Sequence, residues 1–249
     1  MHSKSEKYIL GVKLSDYSKS QVIEKIWEFL ALSKCHHIST INPEFIVEAQ
    51  TNLDFFKALN ESDLNINDSF GIKLLYRFQN RIPGADFVYN LFELSKDKKI
   101  KFYLLGGENG IAKKAAQIIR NKYKNIVIVG AESGGEINLN NLISTKYIIN
   151  RINQTEPDIL LVSFGSPKQE LFINFWKENL KCKIAIGVGA SLDFIANKQI
   201  RAPKILRTIG LEWLWRLILY PQRWRRIFNA TLVFPYLVLK NKFIKRKVL

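Results

Sequence analysis

Short apolar runs alternate with amphipathic runs of helix length along most of this chain, and that alternation limits the fold more than any other feature of it. Lys101–Leu105, Ile126–Gly130, Asp158–Ser163 and Lys183–Val188 read as strands, separated by helix patterns at Ile111–Tyr123, Asn141–Asn153 and Pro167–Leu180. Upstream, Tyr8–Lys13, His37–Ile41 and Asp63–Ile66 read as strands, with helices over Ser18–Ser33, Pro43–Leu59, Phe70–Phe78 and Ala85–Ser95. Val22, Ile23, Ile26, Trp27 and Leu30 fall on one face of the first helix. Strands that are apolar almost throughout need cover on both faces. Repeated strand–helix–strand units of this kind predict an α/β fold, a mostly parallel sheet with helices on both faces (Rossmann-like). The pattern holds over residues 1–198 as one α/β core, followed by a basic amphipathic helical appendage over 199–249.

Charge separates the two regions. Lys and Arg number 38 against 22 Asp and Glu, a net charge of +16, and twelve basic residues with one acid, Glu212, lie at or after Arg201. The appendage therefore carries most of the excess and predicts an anionic partner. Leu211, Leu214, Trp215, Ile218 and Leu219 repeat at helical spacing up to Pro221, which ends or kinks that helix. Trp224, Ile227, Phe228 and Leu232 repeat the arrangement beside Arg223, Arg225 and Arg226. Aromatic and aliphatic residues opposite arginines make an interfacial helix for an anionic membrane surface, although the same face could instead pack on the core. Nucleic acid ranks below membrane, because no RNP, helix-turn-helix, KH or zinc-finger pattern occurs.

Several chemistries lack their residues. Cys35 and Cys182 are far apart, with no CxxC and no Cys/His cluster, so neither a disulfide framework nor a zinc site is expected, and a reducing, cytoplasmic setting fits. Met1–Lys7 is polar, unlike a secretory leader, and Thr231–Leu239, broken by Pro235, falls short of the roughly 20 apolar residues of a membrane span. The chain has no HExxH, P-loop or Gly-x-Ser-x-Gly elbow. No D-x-D pair stands ready to hold a divalent ion against a diphosphate, so no metal and no cofactor is expected, and any diphosphate would fall to arginines. His2 is terminal, and His36 and His37 open a strand, where a structural role suits them best.

Candidate site residues collect at strand ends, where open parallel sheets bind ligands. Asp68 follows Asp63–Ile66 and could take a proton from an attacking hydroxyl, while its spacing equally suits an N-cap for the next helix. Thr40 and Asn42 end the preceding strand, with Asn42–Pro43 an N-cap followed by proline at N1. Asp193, after Gly187–Leu192, is a second candidate acid. Gly106 and Gly107 open a GGxxG turn into a helix, where backbone N–H groups could meet a diphosphate or where glycine merely serves a tight turn. With Glu132 a strand later, the same turn leaves a nicotinamide-dependent oxidoreductase as a rival reading, and a non-catalytic membrane- or polyanion-binding protein as another.

The segments Thr40–Glu44, Asn67–Gly71, Arg81–Asp86, Ser166–Glu170, Gly187–Asp193, Arg201–Pro203, Glu212–Leu217 and Pro221–Arg226 follow the order and spacing found in the WecG/TagA/CpsF glycosyltransferases, a family this chain resembles from about Thr40 to Arg226. The resemblance implies inverting transfer of N-acetylmannosamine, its uronic acid or a related hexose. The donor would be a UDP-sugar and the acceptor an undecaprenyl-diphosphate-linked N-acetylglucosamine, in bacterial surface polysaccharide or teichoic acid synthesis. It implies Asp68 as general base, Thr40, Asn42, Arg81 and Gln169 as sugar-pocket residues, and Arg216, Arg223 and Arg226 as contacts to the nucleotide diphosphate. An enzyme of this kind would sit peripherally on the inner face of the cell membrane; its oligomeric state is left open. Two positions depart from the family pattern, Ser69 after Asp68 and Asn197 after Ala196, where the family usually has glycine.

Overall fold

The computed structural model describes residues 6–96 and 98–247, with side chains to 243. The polar start with His2 and the side chains of Lys245, Arg246 and Lys247 lie outside the described residues. Strands β1 (Glu6–Ile9) and β2 (Val12–Ser15) are followed by α1 (Lys19–Ala31), β3 (His36–Ile41), α2 (Pro43–Glu48), α3 (Leu53–Glu61) and β4 (Leu64–Asn67). Then come α4 (Phe70–Tyr76), α5 (Gly84–Leu94), β5 (Lys101–Gly106), α6 (Ile111–Lys122), β6 (Val127–Glu132) and α7 (Lys146–Thr155). The core closes with β7 (Ile159–Ser163), α8 (Lys168–Trp176), β8 (Ile184–Gly187) and α9 (Ser191–Ile195). The appendage adds α10 (Lys204–Thr208), α11 (Glu212–Leu219), α12 (Trp224–Phe228) and α13 (Phe234–Lys247).

The eight strands form one sheet in the order β1-β2-β4-β3-β8-β7-β5-β6, parallel except where β1 meets β2. Alternation along the strands explains their composition. Phe102, Leu104, Ile159, Leu161, Ile184 and Ile186 point into a cluster closed by α1, α5, α6 and α9. Their neighbours Tyr103, Leu105, Leu160, Val162 and Ala185 point the other way, under α7 and α8. With both faces buried, β5, β7 and β8 are apolar nearly throughout, as central parallel strands require.

Two expected elements divide. The run Tyr8–Lys13 is a hairpin, because Leu10 and Gly11 take φ of 48° and 83° and reverse the chain, pairing Ile9 with Val12. Two consecutive left-handed residues form the turn whose twist suits adjoining strands. The expected helix Pro43–Leu59 is two helices, because the Asn52 side chain accepts the Phe55 N–H and starts α3 afresh. Similarly, the helix expected from Asn141 begins as a 3-10 segment, Leu139–Thr145, before α7.

The appendage folds back onto the β1–β4 end of the sheet. Phe234 and Val238 of α13 are buried in a cluster with Ile9, Leu14, Ile41, Phe45 and Phe78. Pro221 ends α11, as its position in the sequence requires. Outward from this anchor, Ile218, Trp224, Phe228, Leu232, Tyr236, Leu239 and Phe243 are exposed. No helix among the described residues is long and apolar enough to cross a membrane. Phe234→Ala should therefore destabilise the protein by about 3 kcal/mol in urea unfolding, whereas Phe243→Ala should change stability by under about 0.5 kcal/mol.

Candidate active site

The carboxyl ends of β3, β4, β7 and β8 open into a cavity of about 750 Å³, roofed by α11, α12 and the start of α13. Thr40, Asn42, Asp68, Arg81, Gln169, Asp193, Arg216, Arg223 and Arg226 all line it, so residues spread over 187 positions meet at one place.

Asp68 sits just past β4. It does not cap the next helix. Ser69 takes that role, its Oγ accepting the Ile72 N–H at 3.4 Å, while the Asn67 side chain accepts the Ser69 N–H at 2.9 Å. The Asp68 carboxylate is thereby free to face the cavity, where its Oδ1 accepts the Gly84 N–H at 3.0 Å. Burial raises its pKa above the ordinary carboxyl range, and the Glu212 carboxylate adds to the rise. The Gly84 N–H, Arg81 and Arg216 oppose it. A carboxyl held this way is a stronger proton acceptor once ionised.

The neighbouring residues position one another. Asn42 caps α2 through the Phe45 N–H at 3.2 Å, with Pro43 at the first helical position. Thr40 packs against Gly84 so closely that a Cβ there would meet its Oγ1 at 2.9 Å, and this contact sets the start of α5 beside Asp68. Arg81 donates to the Asp68 carbonyl at 2.9 Å and to the Arg207 carbonyl at 2.9 Å, joining the β4 loop to the appendage. Gln169 is buried, its Oε1 accepting the Gly189 N–H at 2.9 Å and its Nε2 donating to Glu170 at 2.9 Å. The other Glu170 oxygen accepts from Ser39 at 2.7 Å and lies 2.6 Å from His37 Nε2. A Cβ on Gly187 would come within 2.1 Å of Glu170, so only glycine leaves room for this buried carboxylate.

Asp193 lies in the first turn of α9, accepting from Gln199 at 3.2 Å, and burial raises its pKa as well. Opposite the acids stands a wall of arginines. Arg216 is paired with Glu212 at 2.5 Å and 3.1 Å, Arg226 with Glu44 of α2, and Arg223 makes no ion pair among the described residues. Burial, Arg216 and Arg226 together lower the pKa of Arg223. An anion in the cavity would relieve that repulsion.

Gly106 and Gly107 do not line this cavity. Their glycines answer to sterics, since a Cβ on Gly106 would strike the Ser163 backbone at 2.6 Å and one on Gly107 would strike Ile111 at 2.8 Å. Glu132, the acid that would contact a ribose in the oxidoreductase reading, is engaged by Tyr103 at 2.6 Å and Arg151 at 2.6 Å. Among the described residues no group of three or more His, Cys, Asp or Glu side chains is placed to hold a metal ion.

Both departures from the family pattern have local reasons. Ser69, with φ of −102°, needs no glycine and gains a helix cap. Asn197 takes φ of 55°, the left-handed region that asparagine tolerates better than most residues. Sequence reasoning gave no role to Glu44, Glu212 or Glu170. Glu212 was visible only as an acid in a basic segment, four residues before Arg216, and Glu44 only as an acid in the first turn after Pro43. Apart from the adjacent Gln169, the partners of Glu170, His37 and Ser39, lie more than a hundred residues away.

A carboxylate at the end of a parallel strand shares one open cavity with three arginines, an arrangement suited to group transfer with an anionic leaving group. The chain belongs to the Glycosyl transferase WecG/TagA/CpsF family, which it matches over residues 7–248. The N-acetylglucosaminyldiphosphoundecaprenol N-acetyl-beta-D-mannosaminyltransferase of Bacillus subtilis (strain 168) is 32% identical over 197 residues, covering 77% of this chain and 75% of its own length. The protein of the same name from Staphylococcus aureus (strain MRSA252) is 29% identical over 243 residues, covering 94% and 92%. Family membership makes the chain a glycosyltransferase and sets aside the oxidoreductase and non-catalytic readings.

Because its folded-state pKa is raised, ionising Asp68 opposes folding. The loss begins as pH rises through the ordinary carboxyl value and is complete above the raised one. Asp68→Asn should therefore melt at a higher temperature than wild type at neutral pH, with no such advantage below about pH 3. Calorimetry at the two pH values checks this.

Proposed function

We propose that this protein transfers N-acetylmannosamine from a UDP-sugar to N-acetylglucosamine carried on undecaprenyl diphosphate, with inversion at the anomeric carbon. The observation that carries the reading is Asp68 and the arginines Arg216, Arg223 and Arg226 on one cavity. The names of the relatives, each a mannosaminyltransferase acting on N-acetylglucosaminyldiphosphoundecaprenol, support the sugar and the acceptor.

In this mechanism the ionised Asp68 takes the proton from an acceptor hydroxyl as its oxygen bonds to the anomeric carbon. The bond from that carbon to the β-phosphate oxygen breaks, and UDP leaves with the electron pair. Charge growing on the diphosphate is neutralised by the guanidinium groups, which donate hydrogen bonds in the bidentate geometry phosphates favour. Thr40, Asn42, Arg81, Gln169 and Asp193 shape the sugar pocket. Burial works for the reaction here, since it keeps Asp68 basic and concentrates the field of the arginines.

Membrane placement follows from the lipid-linked acceptor. Trp224, with Arg225 over its ring, Phe228 and Leu232 are exposed on the same C-terminal segment as the exposed Lys240 and Lys242, a composition suited to the anionic inner leaflet. Each basic residue near such a surface adds about 1 kcal/mol of attraction.

Asp68→Asn should lower turnover by about 10² to 10⁴ while leaving UDP binding in place; turnover close to wild type would move the base role elsewhere. A thermal-shift panel should show stabilisation by UDP and UDP-N-acetylmannosamine and none by NAD. Replacing Trp224, Phe228 and Leu232 together by alanine should reduce sedimentation with vesicles containing phosphatidylglycerol without lowering the melting temperature.

A further inference from the structure

Three guanidinium groups crowd the roof of the cavity, and two of them already hold a carboxylate. Arg216 Nη2 lies 2.5 Å from Glu212 Oε1, with Nε at 3.1 Å, and Arg226 Nε pairs with Glu44 Oε1. Both acids line the cavity themselves, and both are more buried than the arginines they hold, with side-chain exposures of 19% against 35% and 23% against 46%. The third arginine, Arg223, makes no ion pair among the described residues; the Tyr220 ring lies 5.7 Å from its guanidinium carbon, and Glu44 and Asp193 act on it through their fields. Without an anion, three cations at this density would repel one another, and Glu44 and Glu212 reduce the excess to a single charge.

The placement suggests more than neutralisation. Glu212 reaches Arg216 from one turn earlier in α11, and Glu44 reaches Arg226 from the first turn of α2, across the boundary between core and appendage. Each acid occupies the donor groups that a phosphate would need. We infer that Glu212 and Glu44 are positioning residues that hold Arg216 and Arg226 in the unliganded enzyme and give them up to the diphosphate of the donor. The inference rests on the reading that this cavity takes a nucleoside diphosphate. When Arg216 turns to the diphosphate, the charge of Glu212 is no longer balanced and faces Asp68. Glu212 already raises the Asp68 pKa in the unliganded enzyme, and with its partner drawn away that field grows while donor is bound. When UDP departs, the two carboxylates reclaim their arginines and favour release.

Competition has a distinctive signature. If Glu212 competes with phosphate for Arg216, removing its charge should improve binding, whereas a support for the arginine would weaken binding when lost. Titration calorimetry with UDP on the full chain should show Glu212→Gln binding about two- to fivefold tighter than wild type, the range for a partly exposed ion pair. A general change in cavity potential would also tighten binding, and a double-mutant cycle separates the two. In an Arg216→Gln background, Glu212→Gln should give no gain. Glu44→Gln should behave in the same way, with its gain lost in an Arg226→Gln background. Circular dichroism and thermal melting establish that each variant is folded. Weaker or unchanged binding in Glu212→Gln and Glu44→Gln, or an equal gain with and without the arginine, overturns the inference. Wild-type protein that binds no UDP overturns the diphosphate reading and this inference with it.

Discussion

A carboxylate that must stay chargeable in a cavity is the constraint around which this structure is arranged. Asp68 stands where β4 runs out, and burial pushes its pKa above the ordinary carboxyl range. One backbone N–H from Gly84 and the cations Arg81 and Arg216 oppose that rise and favour its ionised form. Supplying those partners draws together distant parts of the chain: Thr40 fixes the start of α5, Ser69 relieves Asp68 of capping α4, and Arg81 ties the loop to the appendage. The site is therefore incomplete without the C-terminal segment, even though every strand lies before it.

That segment is held at specific points. Phe234 and Val238 anchor α13 in the apolar cluster over β1 and β2. Arg201 and Arg207 both reach Asp86 near the start of α5, at 2.7 Å and 3.2 Å, and Arg226 reaches Glu44. These contacts set the arginines over the cavity while the remaining apolar side chains of the same helices stay exposed. Beneath the cavity, His37, Ser39, Gln169 and Glu170 form a buried hydrogen-bonded group that fixes the loop after β8. A network satisfied on nearly every polar atom adds rigidity where Gln169 lines the cavity.

Much of this was legible in the sequence, and the exceptions have physical causes. The parallel sheet could be read because double-sided burial leaves apolar runs. The hairpin at Leu10–Gly11 was hidden inside one such run, since the reversal depends on two backbone angles and leaves the hydropathy unbroken. The break between α2 and α3 turned on a single side-chain cap at Asn52. Asp68 could be placed at a strand end by pattern, but whether its carboxylate capped a helix or faced a cavity depended on Ser69 and on Gly84 arriving from α5. Gly106 and Gly107 resembled an anion-binding turn because close strand packing and phosphate contact both favour glycine. The pairings of Glu44 and Glu212 were the least accessible, because an acid carries no mark of the arginine it meets, and Arg226 lies 182 residues from Glu44.

The proposed source of positive charge for the departing diphosphate is the set of guanidinium groups on the appendage. Its most direct test is the single-turnover rate of sugar transfer, measured in excess EDTA for wild type and for Arg223→Gln. The account predicts an undiminished wild-type rate and a loss of about 10² to 10³ in the variant, the scale of removing one preorganised charge-stabilising donor. A wild-type rate abolished by EDTA and restored by magnesium or manganese, with Arg223→Gln close to wild type, would contradict it.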